Sequence, residues 1–290
     1  MMEVSQGASI EPGPVRERVG TTLKRLSRTG ALPALPSVAS AALGIVRDPD
    51  ADIDKVCRII QTDVGLAARV LRIANSASVG RRTPARKLSE AVVTIGLRKA
   101  CDVLVAACAR QLYQSASPKA EILWNHALAV AIGAEEIARR TRRVDAGRAF
   151  LPGLFHDVGR IAFLLADELA VEVLDRMVTG GDGDRVYLER EWYGFDHTDA
   201  GATLAEEWGL AAEQCDAIRW HHDPEGGGAA SDLARILLAA DGIAYEIGFG
   251  GGGVAPDCDV LASLGFDQVA AEALREAVQE NFEDQRELLS

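Results

Sequence analysis

LPGLFHDVGR, residues Leu151–Arg160, sets a histidine and an aspartate side by side in an otherwise apolar run. A polar group taken out of water without a partner costs roughly 2–7 kcal/mol, so His156 and Asp157 need company. Gly153 and Gly159 flank the pair and permit close approach of another backbone. Apolar residues on both sides predict that the pair lies within a buried helix of an α-helical fold.

The same test applied outward finds more inward polar groups. At helical spacing His126 shares a stripe with Ile122, Leu123, Val130 and Gly133, and His197 with Ala200, Gly201, Leu204 and Trp208. Asp241 falls among Leu237, Leu238, Ala244 and Tyr245, and His222, beside His221, follows Cys215 and Ile218 at the end of a helix. Any one of these histidines alone reads as a core imidazole bonded to a carbonyl. All five histidines of the chain, together with Asp157 and Asp241, read more economically as ligands converging on a shared cation. Neutral imidazole and carboxylate without thiolate suit iron, manganese, zinc or magnesium and do not rank them.

The chain of 290 residues is 48% hydrophobic but only 5% aromatic, a mixture that favours helices over strands. An all-α protein is expected: a polar tail over 1–21, a helical bundle over 22–115, a second helical subdomain over 116–248, and a linker with an acidic amphipathic helix over 249–290. Ser37, Asp52 and Asp63 are placed to cap the first helices. Later helices are expected over 119–142, 146–178, 197–208, 210–222, 231–247 and 267–289, the last with Val269, Ala273, Leu274, Ala277 and Val278 inward.

Residues 1–115 carry 17 basic and 10 acidic side chains, net +7, and residues 116–290 carry 14 and 33, net −19. An acidic second half is a poor nucleic-acid surface and attracts cations. The basic cluster of Arg81, Arg82, Arg86, Lys87, Arg98 and Lys99 reads as a solvated face, without interleaved aromatics, so nucleic-acid binding is not expected. Cys57, Cys101, Cys108, Cys215 and Cys258 are odd in number and widely spaced, which suits buried thiols in a reducing compartment. No apolar leader or run of membrane-spanning length is visible, so the expected location is cytoplasmic and away from membranes.

The order His126, His156–Asp157, Asp241 resembles the HD superfamily of metal-dependent phosphohydrolases. The segments LPALPSVASAALGIVRDPDA, IIQTDVGLAARVLRIANSASVG, AVVTIGLRKACDVL, LWNHALAVA, GFDHTDAGATLAEEWGL and IRWHH resemble, in order, the landmarks of the HDOD domain over about residues 22–248. The resemblance implies an all-α bundle packed on an HD-type subdomain. It also implies a bacterial signal-transduction module, of response-regulator output or scaffold type, acting through signalling-protein partners. The alternative it carries is a phosphohydrolase or phosphodiesterase with a nucleotide or cyclic-nucleotide ligand. His126, His156, Asp157 and Asp241 match the HD metal positions, and His197, His221 and His222 resemble the further ligands of HD-GYP phosphodiesterases. Two features depart: Arg160 stands where those enzymes have lysine, and WHHDPEGGG lacks the GYP loop. In the enzymatic alternative Asp157 bridges two metals and Arg160 clamps phosphate, though a guanidinium is too basic to donate a proton. Otherwise Arg160 is a surface ion pair. Asn75 and Ser76 match a family landmark whose expected role is to bond where two helices meet.

Overall fold

The computed structural model describes residues 21–23, 35–48, 50–76, 83–116, 119–252, 255 and 259–289. The tail before Thr21, the first half of the LPALPS turn, Arg81, Arg82 and Cys258 lie outside them. The described residues form α-helices and 3₁₀ turns and contain no strand.

The first group comprises α1 (Ser37–Arg47), α2 (Ile53–Ile60), α3 (Val64–Ala74), α4 (Leu88–Ile95) and α5 (Leu97–Ala116). Asp52 accepts from the Lys55 N–H at 2.7 Å, and Asp63 accepts from the N–H groups of Gly65 and Leu66. These caps satisfy donors that the first helical turn leaves unpaired. Ser37 does not cap. It is already helical, and the residue before it is Pro36, whose extended backbone makes no side-chain cap. Asn75 ties α3 to the segment before α4, its Nδ2 donating to the Ala85 carbonyl at 3.0 Å and its Oδ1 accepting from the Ala85 N–H at 2.6 Å.

The second group is built round α6 (Ala120–Thr141), buried almost without interruption from Leu123 to Ala134. A 3₁₀ turn leads to α7 (Phe150–Phe155) and α8 (Val158–Ala166), followed by α9 (Glu168–Gly180), α10 (Arg185–Tyr193), α11 (His197–Trp208), α12 (Ala212–Arg219) and α13 (Ser231–Glu246). The single helix expected over 146–178 is therefore broken. Asp157, at φ −101° and ψ 9°, leaves helical geometry between α7 and α8. Asp167 leaves it at φ −162° and caps α9 by accepting from Ala170 N–H at 3.0 Å. His156 and Asp157 thus lie at a helix junction, which lets the two neighbouring side chains face the same interior point.

Two helices, α14 (Asp259–Ser263) and α15 (Gln268–Leu289), close the chain. The inward face of α15 is Ala271, Leu274, Val278, Phe282 and Leu289. Val269 is 78% exposed and Ala273 is also exposed, contrary to expectation, because the face that packs on α6 is rotated from the stripe chosen. Segment Ala146–Ala166 has the length and hydropathy of a membrane span but is 89% buried inside the fold. One continuous apolar cluster joins residues of both groups, from Leu43 and Val70 to Leu154, Leu237 and Phe282. Cys57, Cys101, Cys108 and Cys215 are free and buried within it, as expected.

Candidate metal centre

Close backbone packing brings the polar groups together. A Cβ on Gly153 would sit 2.8 Å from Ala131 Cα, and one on Gly159 only 2.0 Å from the His197 carbonyl oxygen. Only glycine lets α7 approach α6, and α8 approach α11, this closely. The junction residues His156 and Asp157 are thereby set between His126 of α6 and His197 at the start of α11. Asp241 comes from the middle of α13, and His221 and His222 from the turn after α12.

Two ligand groups result, each with its donor atoms within 4.8 Å of one another: His126, His156 and Asp241, and Asp157, His197, His221 and His222. Asp157 lies between them. Its Oδ1 is 3.2 Å from His197 Nε2, and its Oδ2 is 3.8 Å from both His126 Nε2 and His156 Nε2. His126 Nε2 is 3.2 Å from Asp241 Oδ1, and the Nε2 atoms of His197 and His222 are 3.1 Å apart. All seven residues singled out as candidate ligands are therefore in one place.

The outer nitrogens explain how the rings are aimed. Nδ1 of His126 faces the Phe249 carbonyl at 2.8 Å, that of His156 the Gly153 carbonyl at 2.8 Å, and that of His221 the Ile218 carbonyl at 2.7 Å. His197 Nδ1 faces Glu189 Oε2 at 2.6 Å, and the same oxygen accepts the His197 backbone N–H at 2.7 Å. An oxygen of a carbonyl or carboxylate can only accept, so each Nδ1 carries a proton; in His156 and His221, which burial keeps neutral, Nε2 therefore presents a lone pair to the interior. Nε2 of His156 and of His221 is buried with no hydrogen-bond partner. A partner fixed on one ring nitrogen and a lone pair left waiting on the other is the arrangement of metal-ligating histidine.

Charge leads to the same conclusion. Burial and the neighbouring imidazoles hold His221 well below the ordinary histidine range, and burial lowers His156 despite the nearby carboxylates. Loss of hydration, then His197, takes His222 down to about 3; its outer face is open to solvent while its Nε2 points inward. Burial works against protonation of His126 and His197 too, but Asp241 lifts the first and Glu189 with Asp157 lifts the second. Burial opposes ionisation of Asp157, yet Arg160 and three imidazoles hold its carboxyl well below the usual range. Asp157, Asp241 and Glu189 thus place three carboxylates in the interior against the one guanidinium of Arg160, with Arg185 reaching Glu189 from 3.6 Å. A buried excess of negative charge calls for a cation. Two unpartnered imidazole nitrogens and this excess charge together fit a divalent ion.

Arg160 is not on the surface. It is 7% exposed, donates to Asp157 Oδ2 at 2.7 Å, and donates through Nη2 to the carbonyls of Gly251 at 2.6 Å and Gly252 at 3.3 Å. A Cβ on Gly251 would meet His126 Cδ2 at 2.8 Å and Arg160 Nη1 at 2.9 Å, so this glycine strap lies directly over the centre. Behind it Phe249, whose carbonyl holds His126, packs its ring 4.0 Å from that of Phe282 on α15. Sequence reasoning missed Glu189, Phe249 and the strap. Glu189 shares its helical face with Arg185 and Tyr193 rather than an apolar stripe, and a main-chain carbonyl leaves no trace in residue identity.

The HDOD domain family model matches residues 32–224. A crystal structure of an HDOD domain protein of unknown function from Geobacter sulfurreducens is similar, with TM-score 0.74 and 25% identity, covering 92% of this chain and 90% of that one. A protein from Shewanella amazonensis SB2B, provisionally named a phosphohydrolase, has TM-score 0.72 and 25% identity over 92% of this chain and 97% of its own. An uncharacterized protein of Treponema pallidum (strain Nichols) is 27% identical over 194 residues, 66% of this chain, and the match spans 38% of the Treponema protein's length.

Proposed function

This chain belongs to the HDOD domain family, and from that premise we propose that it is a signalling module whose HD-type subdomain is held together by divalent metal. His126, His156 and Asp241 hold one cation, His197, His221 and His222 a second, and Asp157 offers an oxygen to each. The observation that carries this reading is the pair of buried, unpartnered Nε2 atoms on His156 and His221, each ring already fixed through Nδ1. Iron, manganese, zinc and magnesium all suit the donor set. In the signalling role the ions lock α6, the α7–α8 junction, α11, the turn after α12 and α13 into one arrangement, which signalling partners read at the surface. The strap of Gly250–Gly252 over His126 and the buried ion pair of Arg160 with Asp157 support holding rather than turnover.

A second reading, metal-dependent hydrolysis of a phosphoester, is favoured by Asp157, which faces both ligand groups as a bridging carboxylate does. Similarity to the Shewanella protein points the same way. Bound metal would supply a water of lowered pKa and neutralise phosphate oxygens. Arg160 would orient phosphate. Burial disfavours its charged form, but Asp157 raises its pKa above the ordinary arginine range, so it donates hydrogen bonds and not a proton.

Elemental analysis of anaerobically purified protein, beside Asp157→Asn and the outer-ligand variant His222→Ala, tests the proposal. One to two equivalents in the native chain are expected, with loss in both variants while helicity is retained. Absence of stoichiometric metal, with no change of melting on adding manganese, iron or zinc, refutes it. Turnover of bis-p-nitrophenyl phosphate by the loaded protein decides for the second reading.

A further inference from the structure

Beside the metal centre, and sharing Arg160 and Glu189 with it, lies a cavity of about 230 Å³ between α8, α9, α10 and the start of α6. Its walls are mainly Ile122, Leu123, Phe163, Leu164, Val171 and Leu174. An apolar cavity of about 150 Å³ accepts benzene, so this one has room for a substituted aromatic ring or a short alkyl chain. One end is polar. There Arg160 Nη2 and Arg185 Nη2 converge on the Gly252 carbonyl oxygen, at 3.3 and 2.6 Å, while Arg160 Nη2 also reaches the Gly251 carbonyl at 2.6 Å. Two guanidiniums aimed at one neutral oxygen form a weaker arrangement than two aimed at an anion, because opposite full charges add a Coulomb attraction to the same hydrogen bonds. Each cation of the lining also faces a carboxylate, Lys119 facing Glu172, Arg160 facing Asp157 and Arg185 facing Asp175 and Glu189, so an anionic group would replace the strap carbonyls as an acceptor and leave these ion pairs in place.

We infer that this cavity binds a small amphipathic anion, its apolar body among the α8 and α9 side chains and its anionic group between Arg160 and Arg185, where the Gly252 carbonyl now sits. The anion displaces the strap from the two arginines. The site stands on the cavity and the arginines and goes beyond the metal reading, so the two can fail separately.

Isothermal titration of the purified full chain with phenylphosphonate, phenylacetate and inorganic phosphate provides the test, with the metal content of each sample measured alongside. An aryl anion is expected to bind about tenfold or more tightly than inorganic phosphate, since a buried ring adds apolar area. Whichever of the two aryl anions binds better identifies the head group as phosphoryl or carboxylate. Ile122 is 56% exposed at the cavity mouth, so Ile122→Trp should fold; it should weaken the aryl anion about tenfold and leave inorganic phosphate unchanged. Arg185→Gln should weaken aryl anions while melting remains cooperative. Aryl anions binding no better than inorganic phosphate, or binding that ignores both substitutions, overturns the inference. Aryl-anion binding that is sensitive to both substitutions in metal-poor protein sustains it and removes support from the metal reading instead.

Discussion

Replacing Asp102 by asparagine should make the protein more stable at pH 8 and leave it unchanged near pH 4. Asp102 is 1% exposed on α5, and its Oδ1 lacks a hydrogen-bond partner. Burial, the largest cause, pushes its carboxyl up from 3.8 to about 7; the Lys99 charge opposes this and Glu135 adds to it. At pH values below the ordinary carboxyl range, folded and unfolded chains both keep the proton, and burying the group carries no charge penalty. As pH rises from there to about 7, the unfolded chain has released the proton and the folded chain has not, so stability falls by about 1.4 kcal/mol per pH unit. The whole interval corresponds to about 4 kcal/mol, lost in full above pH 7. An asparagine side chain has no such proton to lose. Thermal unfolding of both proteins between pH 4 and 8 reads the difference: the midpoints should coincide at the acid end and separate with rising pH. The variant should end higher by about 8–16 °C, at about 2–4 °C per kcal/mol. Parallel curves, or a variant less stable at pH 8, would show that Asp102 is ionised and paired with Lys99, and would refute the argument.

Glu189→Gln should lower metal affinity about 10–100-fold in a chelator-competition titration, because a neutral amide oxygen accepts the same two His197 bonds without the charge that makes the ring more basic, and its NH2 group then faces Arg185. Unchanged affinity would remove Glu189 from the site. Gly159→Ala should destabilise the fold by about 1–3 kcal/mol or more, as the methyl group meets the His197 carbonyl and drives α8 from α11; denaturant unfolding checks this, and the variant should also lose metal. Chelation should lower the melting midpoint of the native protein but not that of Asp157→Asn, by an amount set by RT ln(1 + [metal]/Kd), about 2.7 kcal/mol when metal stands at 100 times its Kd. A midpoint indifferent to chelator would mean that the ligands need no ion to hold them.

Much of the candidate site was legible because helical periodicity reports direction. His126, His197 and Asp241 sit on apolar stripes, and a polar residue on such a stripe must face inward whatever the details of packing. Asp52 and Asp63 were equally plain, since a short acceptor before an apolar run has one obvious use. The break at Asp157 was invisible: it and His156 are flanked by apolar residues that suit a continuous helix, and only the approach of α11 explains the turn. Val269 and Ala273 misled because α15 carries apolar residues on more than one face, and which face is buried depends on where α6 lies. Glu189 and the Phe249 carbonyl act through contacts between distant segments, which no local pattern encodes.

The tilted contact of Phe249 with Phe282 gives α15 leverage over the candidate metal centre. The carbonyl of Phe249 fixes the proton of His126 on Nδ1. Undocking α15 frees that carbonyl to move, and the ring it orients loses its fixed tautomer. Linkage then runs in both directions with equal strength: a cation held by His126 tightens the grip on the final helix, and any molecule that captures the helix weakens the hold on the cation by the same factor. With a cation at the proposed centre, the ion and the 22 residues of the docked terminal helix would each favour the other, and metal content would report on helix docking.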